Sequence, residues 1–245
     1  MSESAKPITA AVLIIGNEIL SGRTLDKNAN YIAQKLTEKG VRLMEVRTIP
    51  DIAETVIASV NELRHKFDYL FTTGGIGPTH DDITAECISR AFDVPYEQHP
   101  QAYEVLLAHY GEAELTDARL KMAKMPKDAT LIPNPVSGAP GFNIGNVYTM
   151  AGVPKIMQAM MDHIATDLAG GDIVHSKTIT CGLRESELAD ELTDLQNKYP
   201  DIDIGSYPRY AEGQFSLSVV LRGTDVEALE TLAQEVQNIA DAKRG

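Results

Sequence analysis

The sequence predicts an α/β protein in which helices flank a mostly parallel sheet. Apolar runs of strand length alternate with longer segments whose apolar residues recur every three or four positions. A glycine follows both the first and the third predicted strand, at Gly16 and Gly74. The chain has 245 residues, 43% of them hydrophobic, which is enough to bury the core of a layered sheet.

The first part of the chain establishes the alternation. Ile8–Ile15 is a continuous apolar run and predicts a strand. Apolar residues at helical spacing within Asn28–Lys39 predict the helix that follows. The same patterns predict strand, helix and strand over Val41–Ile49, Ile52–Lys66 and Tyr69–Thr73. This order indicates a parallel sheet with helices on both faces and a ligand site at the carboxyl ends of the strands.

The middle of the chain is less regular. Helical spacing predicts helices over Thr84–Phe92, Gln101–Tyr110 and Ala118–Ala123. Met125–Gly145 holds four prolines and three glycines and predicts a stiff, loop-rich segment rather than a flexible linker. A strand over 147–150 and a helix over 154–168, opened by proline in its first turn, complete a first domain of residues 1–170.

Gly170–Gly171 marks the predicted boundary of a second, smaller α+β domain over residues 171–245. Its pattern predicts strand, helix, strand, strand and helix over Ile173–Thr180, Glu185–Tyr199, Ile202–Tyr207, Phe215–Leu221 and Val226–Ala242.

Composition narrows the function classes. Thirty-five acidic and 22 basic residues give a formal charge of −13, and no basic run offsets it, so nucleic acid is not an expected partner. Cys87 and Cys181 lack the paired spacing of a thiolate metal site or a disulfide scaffold and are expected to be buried. Met1–Thr9 carries Glu3 and lacks an apolar segment of signal-peptide length. We therefore expect a cytoplasmic protein that does not enter a membrane.

The segment Thr72–Thr84 carries the most chemistry. Gly74, Gly75 and Gly77 follow a strand and allow successive backbone N–H groups to surround a phosphate. Asp81 and Asp82 come directly afterwards and are candidate ligands for Mg²⁺ or a similar cation that would bridge to that phosphate. The alternative is an ordinary turn before a helix whose first residues are acidic. Pro78 and Thr79 lengthen and stiffen the connection beyond what a simple turn needs, which favours a binding site, whereas His80 is interpreted as a solvated loop residue.

Two other segments are expected at the same edge of the sheet. Asn17 and Glu18 follow the first strand, so Glu18 is a candidate ligand or substrate contact, or else a helix-capping or solvated acid. Asp26 and Asn28 can hydrogen-bond a ribose or base, although Asp and Asn also commonly begin helices.

Two later segments offer further phosphate contacts. Ser137, Gly138 and Gly141 lie in a proline-rich loop that either closes over a ligand or is a purely structural loop. Gly152 and Lys155 lie at a strand–helix junction, where a helix N-terminus and a cation can both face an anion.

Four of these segments together resemble the N-terminal domain of competence/damage-inducible protein A (CinA). The match rests on Gly16–Gly22, Thr73–Thr84, Asn134–Phe142 and Gly152–Met157, which occur in the same order within residues 8–170. That domain belongs to the molybdopterin-binding superfamily with MoaB and MogA and is similar to the N-terminal region of some FAD synthases.

The resemblance implies a three-layer α/β fold and metal-dependent pyrophosphatase activity on ADP-ribose or FAD, with Mg²⁺, Mn²⁺ or Co²⁺ as cofactor. It implies that Asp81 and Asp82 are catalytic metal ligands and that Glu18 and Asn28 flank the nucleotide. It further implies that backbone groups of Gly74–Thr79 and Ser137–Gly141 hold the phosphates and that Gly152 and Lys155 complete the rim. The expected partner is a small nucleotide or pterin, and the expected assembly is a homo-oligomer.

The second domain resembles the KH-type subdomain of CinA, through Gly182–Glu187 and Gly205–Arg209. It lacks the Gly-x-x-Gly loop that clamps nucleotides, so an assembly role is expected rather than RNA binding. We expect neither the deamidase domain that ends full-length CinA proteins nor deamidase activity.

Two positions depart from the family pattern. Ile156 replaces a glutamate, and Ala151 replaces a proline. Two alternatives to hydrolysis stay open, the first because the superfamily shares the phosphate-binding loop and the acid, and the second because Ile156 replaces the usual glutamate. One is molybdopterin binding or adenylylation, and the other is a non-catalytic nucleotide-binding or assembly protein.

Overall fold

A computed structural model describes residues 7–211 and 214–244 of the chain. The chain divides into two compact units between Gly171 and Asp172, one residue beyond the boundary that the sequence predicts.

The first unit alternates strands and helices for most of its length. Its strands are β1 (Thr9–Ile15), β2 (Arg42–Ile49), β3 (Tyr69–Thr73), β4 (Tyr96–Gln98), β5 (Lys124–Pro126), β6 (Thr130–Ile132), β7 (Gly141–Ile144) and β8 (Val147–Met150). Its helices are α1 (Asn17–Leu20), α2 (Asn28–Glu38), α3 (Ala53–Lys66), α4 (Thr84–Ala91), α5 (Pro100–Tyr110), α6 (Asp117–Lys121) and α7 (Pro154–Asp167).

Six strands form the main sheet in the order β2-β1-β3-β8-β7-β6. The first four run parallel, and β7 is antiparallel to both of its neighbours. The predicted mostly parallel α/β fold is therefore confirmed. Strand β1 lies inside the sheet, and its residues Ala10–Ile15 are at most 4% exposed, which explains why an unbroken apolar run is needed there.

Strand β1 also shows that the sheet lies between two helical layers. Ala11, Leu13 and Ile15 pack into an apolar cluster with α3, α4 and α5. Ala10, Val12 and Ile14 pack into a second cluster with α2 and α7. Because alternate side chains of a strand point to opposite faces, the two clusters lie on opposite sides of the sheet. This is the three-layer arrangement that the resemblance implied.

The segment Met125–Gly145, which the sequence analysis expects to be mostly loop, contains most of β5 and all of β6 and β7. Strand β5 pairs with β4 in a separate two-stranded sheet, while β6 and β7 extend the main sheet as antiparallel strands. Each has three or four residues, too few to show a periodic pattern in sequence. The prolines do not prevent pairing, because Pro126 lies in a short edge strand, where proline is tolerated.

The second unit is an antiparallel sheet packed against two helices. It consists of β9 (His175–Cys181), α8 (Ala189–Lys198), β10 (Asp203–Ala211), β11 (Gln214–Gly223) and α9 (Val226–Arg244), with strand order β10-β11-β9. The predicted helix over Glu185–Tyr199 is instead divided into a short 3-10 turn at Glu185–Glu187 and α8. Leu217, Val219 and Leu221 of β11 are fully buried in the unit's own apolar cluster.

Both cysteines are buried and free, as the sequence analysis expects. Burial raises the pKa of the Cys87 thiol to about 11. None of the helices in the described part of the chain has the length and apolar character needed to cross a bilayer.

Candidate functional site

The turns after three neighbouring parallel strands meet at one edge of the main sheet. Gly74 follows β3 and donates its backbone N–H to the carbonyl of Met150, the last residue of β8, at 3.2 Å. A Cβ atom on Gly152 would lie 3.3 Å from the Cα of Gly74, so these two backbones are in direct contact. The structure therefore brings Gly74 and Gly152 together at the edge where the sequence places a ligand.

The glycine loop, residues 74–84, has a backbone that requires glycine at its start. Gly74 has φ +100° and Gly75 has φ +69°, both in the region that other residues rarely adopt. A Cβ atom would lie 2.1 Å from the carbonyl oxygen of Ile15 at Gly74 and 2.1 Å from the Oγ1 atom of Thr84 at Gly75. These close approaches hold the loop against β1 and the start of α4.

The acidic pair lies in the second half of this loop, gathered around Thr79. The Thr79 hydroxyl lies 2.6 Å from Oδ1 of Asp81 and 2.5 Å from Oδ2 of Asp82, and the Thr79 N–H donates to the same Asp82 oxygen at 2.7 Å. The hydrogen bond from Thr79 lowers the pKa of Asp81 below its ordinary value. The Thr79 hydroxyl has only one proton to share between the two carboxylates. Asp81 and Asp82 therefore have more acceptor oxygens than donors, and a cation would neutralise this excess of negative charge.

Asp81 and Asp82 suit a cation that binds together with a phosphate group better than a cation that stays bound permanently. Within residues 7–211 and 214–244, no group of three or more His, Cys, Asp or Glu side chains is placed to hold a metal. Mg²⁺ commonly binds through one or two carboxylates, with water and substrate phosphates completing its shell. Asp81 and Asp82 meet that requirement, because the bonds from Thr79 engage one oxygen of each carboxylate, Oδ1 of Asp81 and Oδ2 of Asp82.

One crevice, the strand-end crevice, lies where strands β1, β3 and β8 end. Its lining includes Glu18, Asp26, Lys27, Asn28, Thr73, Gly74, Gly152 and Pro154. Asn28 is 5% exposed and donates from Nδ2 to the Gly152 carbonyl at 2.8 Å, which fixes the orientation of its amide. Its Oδ1 atom is buried and has no partner in the protein. An unpaired buried acceptor is costly, so this atom calls for a donor from a ligand or water.

Two acidic side chains of this crevice differ in their local roles. The Asp26 carboxylate accepts hydrogen bonds from the N–H groups of Asn28 and Ala29 at 3.2 and 3.0 Å, which confirms the helix-capping interpretation for Asp26. The exposed Glu18 carboxylate lies against Gly16, where a Cβ atom would be 2.6 Å from both of its oxygens.

A second crevice, the loop crevice, lies along residues 75–77 of the glycine loop. It is lined by Gly75, Gly77 and Asp82 together with Tyr96, Lys121, Lys124, Pro140, Phe142 and other residues. The ammonium group of Lys121 donates to the backbone carbonyl of Thr79. Neither lysine is predictable from the sequence, because β4, β5 and α6 bring them to the loop from about 40 residues away and no local motif marks them.

Several predicted site residues are not brought into either crevice. Ser137 and Gly138 belong to a turn held by Asn134, whose side chain makes four hydrogen bonds to residues 136–139. Gly138 packs on His109 of α5, and Gly141 packs on the carbonyl of Thr149. Other predicted residues outside the crevice linings are Asn17, Pro78, Thr79, Asp81 and Lys155, all of them exposed.

Both departures from the family pattern face the core. Ile156 and Ala151 are partly buried and pack against the apolar cluster formed with α2 and α7. An apolar side chain at position 156 therefore contributes to packing.

The fold agrees with comparisons to known proteins. Residues 11–170 match the model of the probable molybdopterin binding domain, and residues 173–243 match the middle domain of FAD synthase. The chain belongs to the molybdopterin-binding domain family.

Individual relatives narrow the class to CinA-like proteins. A CinA-like protein of Citrifermentans bemidjiense is 32% identical over 93% of this chain, which spans 57% of that protein's length. A protein of Archaeoglobus fulgidus is 32% identical over 95% of this chain and 98% of its own length. The crystal structure of CinA from Thermoplasma acidophilum, described as of unknown function, has a TM-score of 0.61 at 34% identity and covers 65% of this chain and 98% of its own.

Proposed function

We propose that this protein hydrolyses a nucleotide pyrophosphate of the ADP-ribose or FAD type with the help of a divalent cation. The observation that carries the proposal is the placement of Asp81 and Asp82 on a glycine loop whose residues line two crevices, Gly74 one of them and Gly75, Gly77 and Asp82 the other. A dinucleotide-type substrate has a diphosphate between two larger groups, which suits a loop that borders two crevices.

The backbone of the glycine loop supports a diphosphate site. The N–H groups of Gly75, Ile76 and Gly77 make no hydrogen bond within the described chain, whereas those of Gly74 and Thr79 bond to Met150 and Asp82. Three successive free N–H groups can donate to phosphate oxygens, and fixed donors of this kind stabilise the negative charge of a transition state.

The cation is assigned to Asp81 and Asp82 as Mg²⁺, Mn²⁺ or Co²⁺. When bound, it would neutralise charge on the phosphoryl oxygens and polarise the attacked phosphorus. The Thr79 hydroxyl contacts both carboxylates and keeps them close together, and its hydrogen bond lowers the pKa of Asp81. We assign the attack to a water molecule oriented by Asp82.

The strand-end crevice is assigned to the nucleoside part of the substrate. The buried Oδ1 of Asn28 is an acceptor without a donor in the described chain, and Glu18 lines the same crevice. Ribose hydroxyls and the amino group of adenine are donors that would satisfy such acceptors, whereas a phosphate would be repelled by them.

The test is hydrolysis of ADP-ribose, FAD and NAD by the purified protein across Mg²⁺, Mn²⁺ and Co²⁺. Asp82→Asn should lower kcat by about 100-fold or more, because it removes the carboxylate charge at the cation. Asp167→Asn is the matched control, since this exposed residue lies in the last turn of α7, at the end away from Pro154. An Asp82→Asn variant with the native rate would overturn the assigned metal role.

A second candidate is molybdopterin binding with adenylylation, favoured by the family match over residues 11–170. Formation of an adenylylated pterin from molybdopterin and Mg²⁺–ATP, without hydrolysis of ADP-ribose or FAD, would establish it. A third is a nucleotide-binding or assembly protein without catalysis. It predicts that ADP-ribose raises the unfolding temperature and is never turned over.

A further inference from the structure

We propose that Lys121 is a positioning residue that clamps the glycine loop and holds the carboxylates of Asp81 and Asp82 ready for the cation. This inference rests on the proposed function in one respect, which is that a divalent cation binds at these carboxylates. The contact that carries it is the hydrogen bond from the Lys121 ammonium to the Thr79 carbonyl.

The backbone of Lys121 is well placed to act as a fixed anchor. It is the last residue of α6, two residues before the fully buried Ala123 and three before strand β5. The carbonyl of Ala123 accepts a hydrogen bond from the N–H of His99 at 2.9 Å, and β5 pairs with β4. The Lys121 side chain therefore reaches the glycine loop from a segment whose own position does not depend on that contact.

Thr79 is the point of the loop where a clamp has the largest effect. Its hydroxyl contacts both carboxylates, and its N–H donates to Asp82. The Thr79 carbonyl also accepts the N–H of Asp82 at 3.3 Å, so the bond from Lys121 ties to α6 the turn on which both acidic side chains converge. Thr79 is itself exposed, and within the described chain Lys121 is the one side chain from outside the loop that bonds to it.

The positive charge of Lys121 does not by itself favour binding of the cation. The positive charge of Lys121 contributes to lowering the pKa of Asp81, and it would also repel a divalent cation at the same place. No ion pair joins Lys121 to Asp81 or Asp82 in the described residues. Electrostatics alone therefore predicts that removing this lysine strengthens cation binding, whereas the clamp predicts that removal weakens it.

The test compares Lys121→Met with Lys124→Met by Mn²⁺ titration, following free Mn²⁺ by electron paramagnetic resonance without any substrate. Lys124 is an exposed lysine of the same crevice and has no side-chain hydrogen bond in the described chain, so its variant removes equal charge and keeps the clamp. Lys121→Met should raise the dissociation constant for Mn²⁺ by about tenfold, the effect of losing a hydrogen bond to a charged donor. Lys124→Met should leave the dissociation constant for Mn²⁺ unchanged or slightly lower it, and Lys121→Arg should restore native binding of Mn²⁺.

Hydrogen exchange of the peptide covering residues 75–84, followed by mass spectrometry, gives a second readout. It should be about tenfold faster in Lys121→Met and native in Lys124→Met, with both variants unfolding at the native temperature. If Lys121→Met unfolds, Lys121→Gln, with a shorter uncharged side chain, provides the same comparison.

The proposal is overturned if Lys121→Met binds Mn²⁺ as tightly as or more tightly than the native protein, or if Lys124→Met weakens binding equally. Neither measurement depends on turnover. If no pyrophosphate is hydrolysed while Mn²⁺ binding still depends on Lys121, the clamp stands and only the proposed reaction fails.

Discussion

At the scale of single residues, replacing a glycine lowers the stability of this protein for two separable reasons, the backbone conformation and the space around the added Cβ atom. Gly75 and Gly22 have nearly equal φ angles of +69° and +72°. A Cβ atom on Gly75 would overlap Thr84, whereas one on Gly22 would have nothing within 4 Å. The two positions therefore separate the cost of the backbone conformation from the cost of the overlap.

We predict that Gly22→Ala lowers the free energy of unfolding by about 1 kcal/mol, the cost of a left-handed alanine. Gly75→Ala should lower it by about 2–4 kcal/mol, because the overlap with Thr84 adds to the same backbone cost. Urea unfolding followed by circular dichroism measures both changes. Equal losses for the two variants would show that Thr84 moves away without cost and that the loop is not held there.

The sequence predicts these residues because loop glycines and adjacent acids form a local pattern. Gly74, Gly75, Asp81 and Asp82 all lie within one short segment, so their chemistry can be recognised without the fold. Lys121 could not be found in this way. Its contact with Thr79 spans 42 residues and depends on how α6 and β5 pack, which no spacing rule encodes.

At the scale of elements, the edge strand β2 carries a network of charged side chains. Arg47 bonds to Glu45 at 2.6 Å and to Glu62 of α3 at 2.7 Å, and Lys66 bonds to Glu45 at 2.9 Å. The hydrogen bonds from Lys66 and then Arg47 lower the pKa of Glu45 below its ordinary value of 4.5. The network ties this edge of the sheet to the helix that covers it.

We predict that Arg47→Met lowers the free energy of unfolding by about 1 kcal/mol near neutral pH, the range found for partly exposed ion pairs. A carboxylate whose folded pKa is depressed stabilises the protein above its unfolded pKa and loses that effect as the pH falls through its folded pKa. The difference between native and variant should therefore be constant above about pH 5.5 and shrink below 4.5.

Denaturant unfolding between pH 3 and 7 measures this difference. Arg42→Met is the control, because Arg42 is exposed on the same strand and has no side-chain partner in the described residues. A difference that does not change with pH would show that Arg47 acts through packing of its alkyl chain rather than its charge.

Long elements were predictable and short ones were not. Strand β1 and helices α2, α3 and α7 repeat their pattern often enough to be recognised. Strands β6 and β7 have three and four residues, and they form because β7 pairs with β8 and β6 pairs with β7. The antiparallel direction of β7 follows from the tight turn that joins it to β8 and not from its own composition.

At the scale of the whole molecule, each compact unit has its own apolar core. The second unit buries Leu217, Leu221, Leu229 and Leu232 to 1% exposure or less within a cluster made only of its own residues. A unit of this size with its own closed core meets the requirement for folding alone.

We predict that a fragment of residues 172–245 unfolds cooperatively on heating, because its core needs no residue of the first unit. Leu232→Ala in the fragment should lower the free energy of unfolding by about 2–5 kcal/mol. Circular dichroism and calorimetry provide the measurements. A broad, non-cooperative transition in the native fragment would show that its core depends on the first unit.

The burial of both native thiols gives this protein a practical use. Cys87 and Cys181 are each 1% exposed, so a maleimide reagent meets no accessible sulfur on the folded native chain. The chain also has no tryptophan, which leaves its fluorescence background low. A single cysteine introduced at the exposed Lys124 would therefore carry an environment-sensitive dye as the sole label, and its emission would report molecules entering the neighbouring crevice in real time.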